Sequence, residues 1–278
     1  DPKNPFRDKR VREAVSLGID RRAINQAEAG GLGKPTGNWI NNDVQYAIEW
    51  PEFERNVERA KQLMREAGFP NGFDVDWEYP GLPGAGNTHR PEDKQNFTAV
   101  MAELRVALDA LGRETRKTYL LTFAAGAFGD FITHTELDKV QGSVDFVNLM
   151  TYDFRVAEAD PISGHHANLF PHPADVEQRS VDRAVKEFLV AGVPPSKLVV
   201  GVPFYGRGWA EVAPDRNGRY QPGKPIQPRM NLDYSNLAAQ IVGRDGFERF
   251  WDAEAQAPYL WNAGRHIFIT YEDPESLG

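Results

Sequence analysis

The sequence predicts an α/β fold with a parallel sheet, entered through a mainly helical segment and interrupted late by a small inserted subdomain. Three observations predict it. Strand-like runs alternate with long amphipathic helices between residues 73 and 205, the pattern of βαβ units. Residues 1–71 carry helical spacing alone. From about 208 to 270 the alternation gives way to Pro- and Gly-rich turns with Trp and Tyr, which marks the α+β insertion.

In the first segment, Asp8 is placed to cap a helix with Val11, Ala14, Val15 and Ile19 on one face. Asp20 caps a second, with Ile24 and Ala27 inward, stopped at Gly30 and Gly31. A Gly-, Asn- and Pro-rich loop follows to about Pro51. Asn56 then caps a helix through Val57, Ala60, Leu63, Met64 and Ala67, ended by Gly68 and Pro70. Beyond it, Phe73–Tyr79, Tyr119–Ala125, Val144–Met150 and Leu198–Tyr205 read as strands. One intervening helix carries Phe97, Val100, Met101, Leu104, Leu108 and Leu111 and is expected to stop at Gly112. Another carries Val181, Ala184, Val185, Phe188 and Leu189 and stops at Gly192. Only four or five β/α units are visible, about half of what a closed eight-stranded barrel needs.

Composition narrows the function. The 278 residues are 41% hydrophobic and 26% charged, an ordinary globular balance, and no apolar run is long enough to span a bilayer. The 40 acidic and 32 basic residues leave a net charge of −8, which argues against a nucleic-acid partner. Cysteine is absent, so disulfides and thiolate chemistry are excluded. No cofactor is expected, and nothing in the sequence fixes an oligomeric state. The chain opens at Asp1 without a secretory leader, as a processed protein or a piece of one would.

The most informative stretch is Phe73-Asp74-Val75-Asp76-Trp77-Glu78-Tyr79-Pro80. Side chains alternate faces along a strand, so Asp74, Asp76 and Glu78 project to one side and Val75, Trp77 and Tyr79 to the other. Three carboxylates on one face repel, and acidic residues are depleted in strands. Such a cost marks a site. Adjacent carboxylates do not all ionise cheaply, so at least one is expected to hold a proton near neutral pH. Glu78, last of the three, falls at the carboxyl end of its strand, where α/β folds place catalysis. A protonated Glu78 serves there as general acid, and Asp76, ionised or sharing a proton with Asp74, steadies a developing positive charge. A solvated edge strand is the competing reading. A metal site is a further reading, though strand carboxylates at two-residue spacing do not make a calcium-loop pattern.

This run resembles the D-G-x-D-x-D-x-E signature of glycoside hydrolase family 18, the chitinase-like enzymes, with Asn71 in place of the first Asp. Val147-Asn148-Leu149-Met150-Thr151-Tyr152-Asp153 is similar to the family's sixth strand, and Gly164-His165-His166-Ala167-Asn168-Leu169 to the loop after it. Val200-Gly201-Val202-Pro203-Phe204-Tyr205-Gly206-Arg207 resembles the seventh strand. Trp251-Asp252, Pro258-Tyr259 and Ile269-Thr270-Tyr271-Glu272-Asp273 resemble the insertion. The matches keep the family's order over about residues 72–278. They imply a partial (β/α)8 TIM-type barrel, strands four to seven, with a small α+β insertion. They further imply catalysis by Glu78, Asp76, Asp74 and Tyr152, with the substrate's own 2-acetamido oxygen as nucleophile. Met150 and Asp153 line the acetamide subsite, Tyr205 and Arg207 contact sugar, and Trp77 and Tyr79 complete the implied binding set. The partner implied is chitin or N-acetylglucosamine oligosaccharides, and the location extracellular or periplasmic.

Several residues carry a second reading. Tyr152-Asp153 also fits an ordinary strand-end turn. His165, His166 and His172 lie in a Pro-rich loop without an acidic partner at helical spacing, and no metal is assigned to them. Trp209, Trp251 and Trp261 suit either sugar stacking or the insertion's core. Residues 1–71 resemble instead the extracytoplasmic solute-binding proteins of peptide and nickel uptake, family 5. The resemblance rests on Asn4-Pro5-Phe6, Val11-Arg12-Glu13-Ala14, Gly18-Ile19-Asp20-Arg21, Gly31-Leu32-Gly33-Lys34-Pro35, and Ala60-Lys61 through Glu66-Ala67-Gly68-Phe69-Pro70-Asn71-Gly72-Phe73. The two resemblances meet at Asn71-Gly72-Phe73-Asp74, which implies a chimera and explains Asn71. The alternatives to a hydrolase are a carbohydrate- or peptide-binding fragment and an inactive composite. With strands one to three and eight not found, the chain is expected to be unstable or aggregation-prone.

Overall fold

The computed structural model describes residues 72–278 and, before them, Lys9, Arg10, Glu13, Leu17, Asn56, Arg59, Ala60, Gln62 and Leu63. The chain divides into two compact units, Asp1–Gly72 and Phe73–Gly278. In the first, the Asn56 side chain caps a helix as expected: its Oδ1 accepts the Arg59 N–H at 2.9 Å. Ala60 and Leu63 are buried on that helix, and Leu17 packs against them. The expected caps at Asp8 and Asp20, the Gly30–Pro51 loop and Asn71 lie outside the described residues.

The second unit begins with a four-stranded sheet, β1 (Gly72–Val75), β2 (Leu120–Gly126), β3 (Phe146–Met150) and β4 (Leu198–Val200), ordered β1-β2-β3-β4. Helix α1 (Asp93–Thr115) joins β1 to β2, the short α2 (Gly129–Thr133) and α3 (Leu137–Val140) join β2 to β3, and α4 (Val181–Val190) precedes β4. β2 and β3 are parallel with Thr122 opposite Phe146, and β3 and β4 are parallel with Val147 opposite Leu198. Neighbours in space are neighbours in sequence, so each crossover steps the same way. That is an arc of a TIM-type barrel, an α/β fold.

Alternation decides which way the sheet faces. Leu121, Phe123 and Ala125 of β2 and Val147 and Leu149 of β3 point to the helices and pack on Phe97, Met101 and Leu108 of α1 and Phe188 of α4. Each of the fully buried Phe side chains contributes about 2–3 kcal/mol. The in-between positions, Asp74, Thr122 and Asn148, fall on the other face and hydrogen-bond to one another.

Two strands and one helix end elsewhere than the sequence suggests. β1 stops at Val75 and β4 at Val200, short of Tyr79 and Tyr205. Pro80 and Pro203 have no N–H to continue a ladder. α1 runs past Gly112 to Thr115 and ends on left-handed Arg116 (φ 55°), whose N–H donates to the Gly112 carbonyl. Gly112 is needed there for a different reason: a Cβ would stand 2.7 Å from the Lys117 carbonyl oxygen.

The insertion is an antiparallel sheet of β5 (Arg207–Ala210), β6 (Lys224–Pro225), β7 (Glu248–Asp252), β8 (Ala257–Asn262) and β9 (Ile267–Thr270), ordered β6-β5-β9-β8-β7. A helical turn, α5 (Tyr234–Asn236), continues into a π-turn at Leu237–Ile241. Leu237, Ile241, Leu260, Ile267 and Ile269 form one core beneath it. Trp209 and Trp261 are buried with Tyr259 and Phe268 in a second core. Their rings therefore stack on protein, while Trp251 stays half-buried with Arg249 over its ring at 5.7 Å.

Candidate active site

Asp74 lies in β1 and Asp76 and Glu78 follow its carboxyl end. All three are exposed, whereas Val75, Trp77 and Tyr79 are half-buried and pack on the core. The acids thus share a side even though the ladder has ended. Asp74 is the anchored one: its Oδ1 accepts from Thr122 Oγ1 at 2.5 Å and from Asn148 Nδ2 at 3.1 Å. Side chains from three successive strands converge on that one oxygen. Partial burial, then the charges of Glu78 and Asp74, push the Asp76 carboxyl above its ordinary range. The middle acid therefore holds a proton more readily than an isolated Asp.

Glu78 is gripped through its backbone. Its carbonyl accepts from Asn87 Nδ2 at 2.7 Å, and the 80–90 loop folds close over it. Tyr79 packs its ring edge-on against Phe128 and Phe131, and burial, then the neighbouring Glu78, pushes its hydroxyl up. Trp77 is different. Its ring meets Phe97 edge-on at 6.1 Å, on the side away from the acids. The structure does not bring Trp77 to the carboxylates, because strand parity turns it toward α1.

The second half of the site follows β3. Tyr152 is half-buried, its hydroxyl pushed up by burial and then by the charges of Asp153, Asp76 and Glu78. Those charges tie it to the β1 acids. Its ring lies edge-on to Tyr205 at 6.3 Å. Asp153, in the left-handed region at φ 58°, is held by three groups. Arg207 Nε and Nη2 donate to its two oxygens at 2.7 Å each, and the Tyr205 hydroxyl donates at 3.0 Å. The third group is the buried His166, with Nδ1 3.5 Å from Oδ1. Burial works to raise the Asp153 carboxyl, but His166 and Arg207 outweigh it and hold it well below the usual carboxylate range. Arg207 also stacks over Tyr205 at 4.8 Å. Met150 ends β3, half-buried.

Beside Tyr205 and Arg207 opens a cleft of about 530 Å³, walled by Glu158, Arg229, Asn231 and Asp233. It adjoins the Asp153 cluster through Tyr205 and Arg207, and Asp74, Asp76 and Glu78 are not among its walls. His165 and His172 are drawn to Asp252 at 3.1 and 3.6 Å, and His172 to Glu254 at 3.2 Å. Acidic partners for these histidines thus come from the end of the distant β7 and the turn after it, which local spacing does not reveal. Among the described residues no group of three or more His, Asp or Glu is arranged to hold a metal ion. Sequence reasoning also misses Thr122, Asn148 and Asn87 as supports for the acids. The first two were legible in principle, since each sits at a non-core position of a core strand.

A family model described as glycosyl hydrolases family 18 matches residues 53–278, beginning upstream of residue 72. Chitinase A1 of Niallia circulans is 40% identical over 86% of this chain and 36% of its own length. The chain spans about a third to just under a half of the length of the curated relatives that head the comparison. Among solved structures, chitinase ChiA74 from Bacillus thuringiensis superposes with a TM-score of 0.73 at 42% identity, covering 78% of this chain and 37% of that one. A family 18 N-acetylglucosaminidase from Paenibacillus barengoltzii gives 0.72 at 41% identity, covering 80% and 64%.

Proposed function

The chain belongs to family 18 of the glycosyl hydrolases, and on that premise we propose that it hydrolyses β-1,4-linked N-acetylglucosamine polymers, chitin and its oligosaccharides, with Glu78 as general acid. The observation that carries the reading is the shared side of Asp74, Asp76 and Glu78, with Tyr152 coupled to the last two. Glu78 protonates the glycosidic oxygen as the C–O bond breaks. The substrate's 2-acetamido oxygen attacks the anomeric carbon, and water then opens the oxazolinium ion with net retention. Asp76 orients the acetamide and balances its positive charge, and Asp74, pinned by Thr122 and Asn148, tunes Asp76. Tyr152 donates to the acetamide. Met150 and Asp153 line the same subsite, and Tyr205 and Arg207 meet the sugar.

The test is release of a chromogenic aglycone from an N-acetylglucosamine oligomer. Glu78→Gln is expected to lower the rate by at least about a hundredfold, the scale of general-acid catalysis. Equal, background-level release by both chains overturns the reading.

We place the protein outside the cytoplasm on the same family ground. Among the described residues no helix is long and apolar enough to cross a membrane. A second reading, a composite of a solute-binding segment and a hydrolase, has the division into compact units at Gly72–Phe73 in its favour and the family match from residue 53 against it. Limited proteolysis checks it: a composite is cut first near that junction, leaving a stable fragment that starts there.

A further inference from the structure

Asp153 is held from two directions. Arg207 and Tyr205 reach it from the cleft side, and both are partly open to solvent. His166 lies behind it with a side chain 0% exposed. Among the described residues neither ring nitrogen of His166 has a hydrogen-bond partner, and Asp153 Oδ1 stands 3.5 Å from Nδ1. A buried polar group without a partner is costly, on the order of 1–3 kcal/mol, unless it forms a bond in some working state. Catalytic hydrogen bonds in ligand-free sites are often long and tighten when substrate arrives.

The groups facing the ring are Asp153, Arg207, His165 and the Tyr205 ring at 5.6 Å. Burial keeps the imidazole neutral against the pull of Asp153. A neutral ring carries one N–H, and among the described residues it is Nδ1 that faces a carboxylate.

We propose that His166 is a positioning residue, whose Nδ1–H closes onto Asp153 Oδ1 and fixes that carboxylate from the interior while Arg207 and Tyr205 fix it from the cleft. The inference rests on the reading of Asp153 as part of the sugar site, and its first test is independent of activity. Ring ¹⁵N NMR of the full chain is expected to show His166 as the Nδ1–H tautomer at neutral pH, with a changed Nδ1 signal in Asp153→Asn. An Nε2–H tautomer, or signals indifferent to Asp153→Asn, overturns the proposal whether or not the chain cleaves chitin oligomers.

The second test is rescue. Asn places a donor where Nδ1 stood and Leu places none. His166→Leu is expected to lower kcat/KM about tenfold, the loss of one hydrogen bond to a charged group, and to shift the acid limb of the pH profile. His166→Asn is expected to stay within about threefold of the parent. If both variants fall together, in step with their melting temperatures, the role is structural and the proposal fails.

Discussion

Glu272 shows how one buried acid shapes the whole stability curve. It is 6% exposed, one carboxylate oxygen has no partner, and burial pushes its carboxyl up to about 7. The folded state therefore holds a proton that the unfolded chain releases above pH 4.5. Its contribution is complete below that value and fades as pH rises through 7, by about 3 kcal/mol in all. Asp153 and Asp252 act in the opposite sense, since both sit below the ordinary carboxylate range and lose their contribution as pH falls. Calorimetry is expected to show the melting temperature falling between pH 5 and 8, and Glu272→Gln flattening that slope. At the same scale, Arg207→Lys replaces a two-pronged grip on Asp153 with a point charge. It is expected to lower kcat/KM at least about tenfold with a loss of stability near 1 kcal/mol or less. The acids of β1 were legible from parity alone. Glu272 was not, because nothing local announces that a polar residue after β9 is buried.

Elements were legible where spacing and caps agreed. α4 begins at Ser180, whose hydroxyl accepts the Arg183 N–H at 3.2 Å, and it buries the expected Ala184 and Phe188. Ser180→Ala is expected to cost about 1 kcal/mol in chemical denaturation and to leave hydrolysis unchanged. Strand ends were misjudged, since β-like composition continues past the point where pairing stops. The turn after β4 shows what replaces the pairing. A Cβ on Gly201 would stand 2.5 Å from the Leu149 carbonyl oxygen and 3.0 Å from the Tyr152 ring. Gly201→Ala is therefore expected to cost about 1–3 kcal/mol and also to displace Tyr152, reducing turnover more than its stability loss explains.

At the scale of the molecule, the sheet order followed from β/α alternation, and the insertion from its change of composition. The pairings that join distant segments, such as His165 with Asp252, needed coordinates, because their sequence separation hides them. β4 is an outer strand of the described sheet, and Val199, Val200 and Val202 stay open to solvent, as does Phe204 at 71%. Apolar edges of this kind recruit other strands. The isolated chain is expected to associate with rising concentration in light scattering, and Val200→Lys to suppress it. A monodisperse sample with one cooperative melt at high concentration would refute this.

The fork between Asp153 and Arg207 joins the turn after β3 to the first strand of the inserted sheet. A sugar gripping either residue would brace both layers at once. Occupancy should then register as slower deuterium uptake along β5 and β9, beyond the residues that touch the sugar. The inserted layer would serve as a built-in gauge of whether the groove is filled.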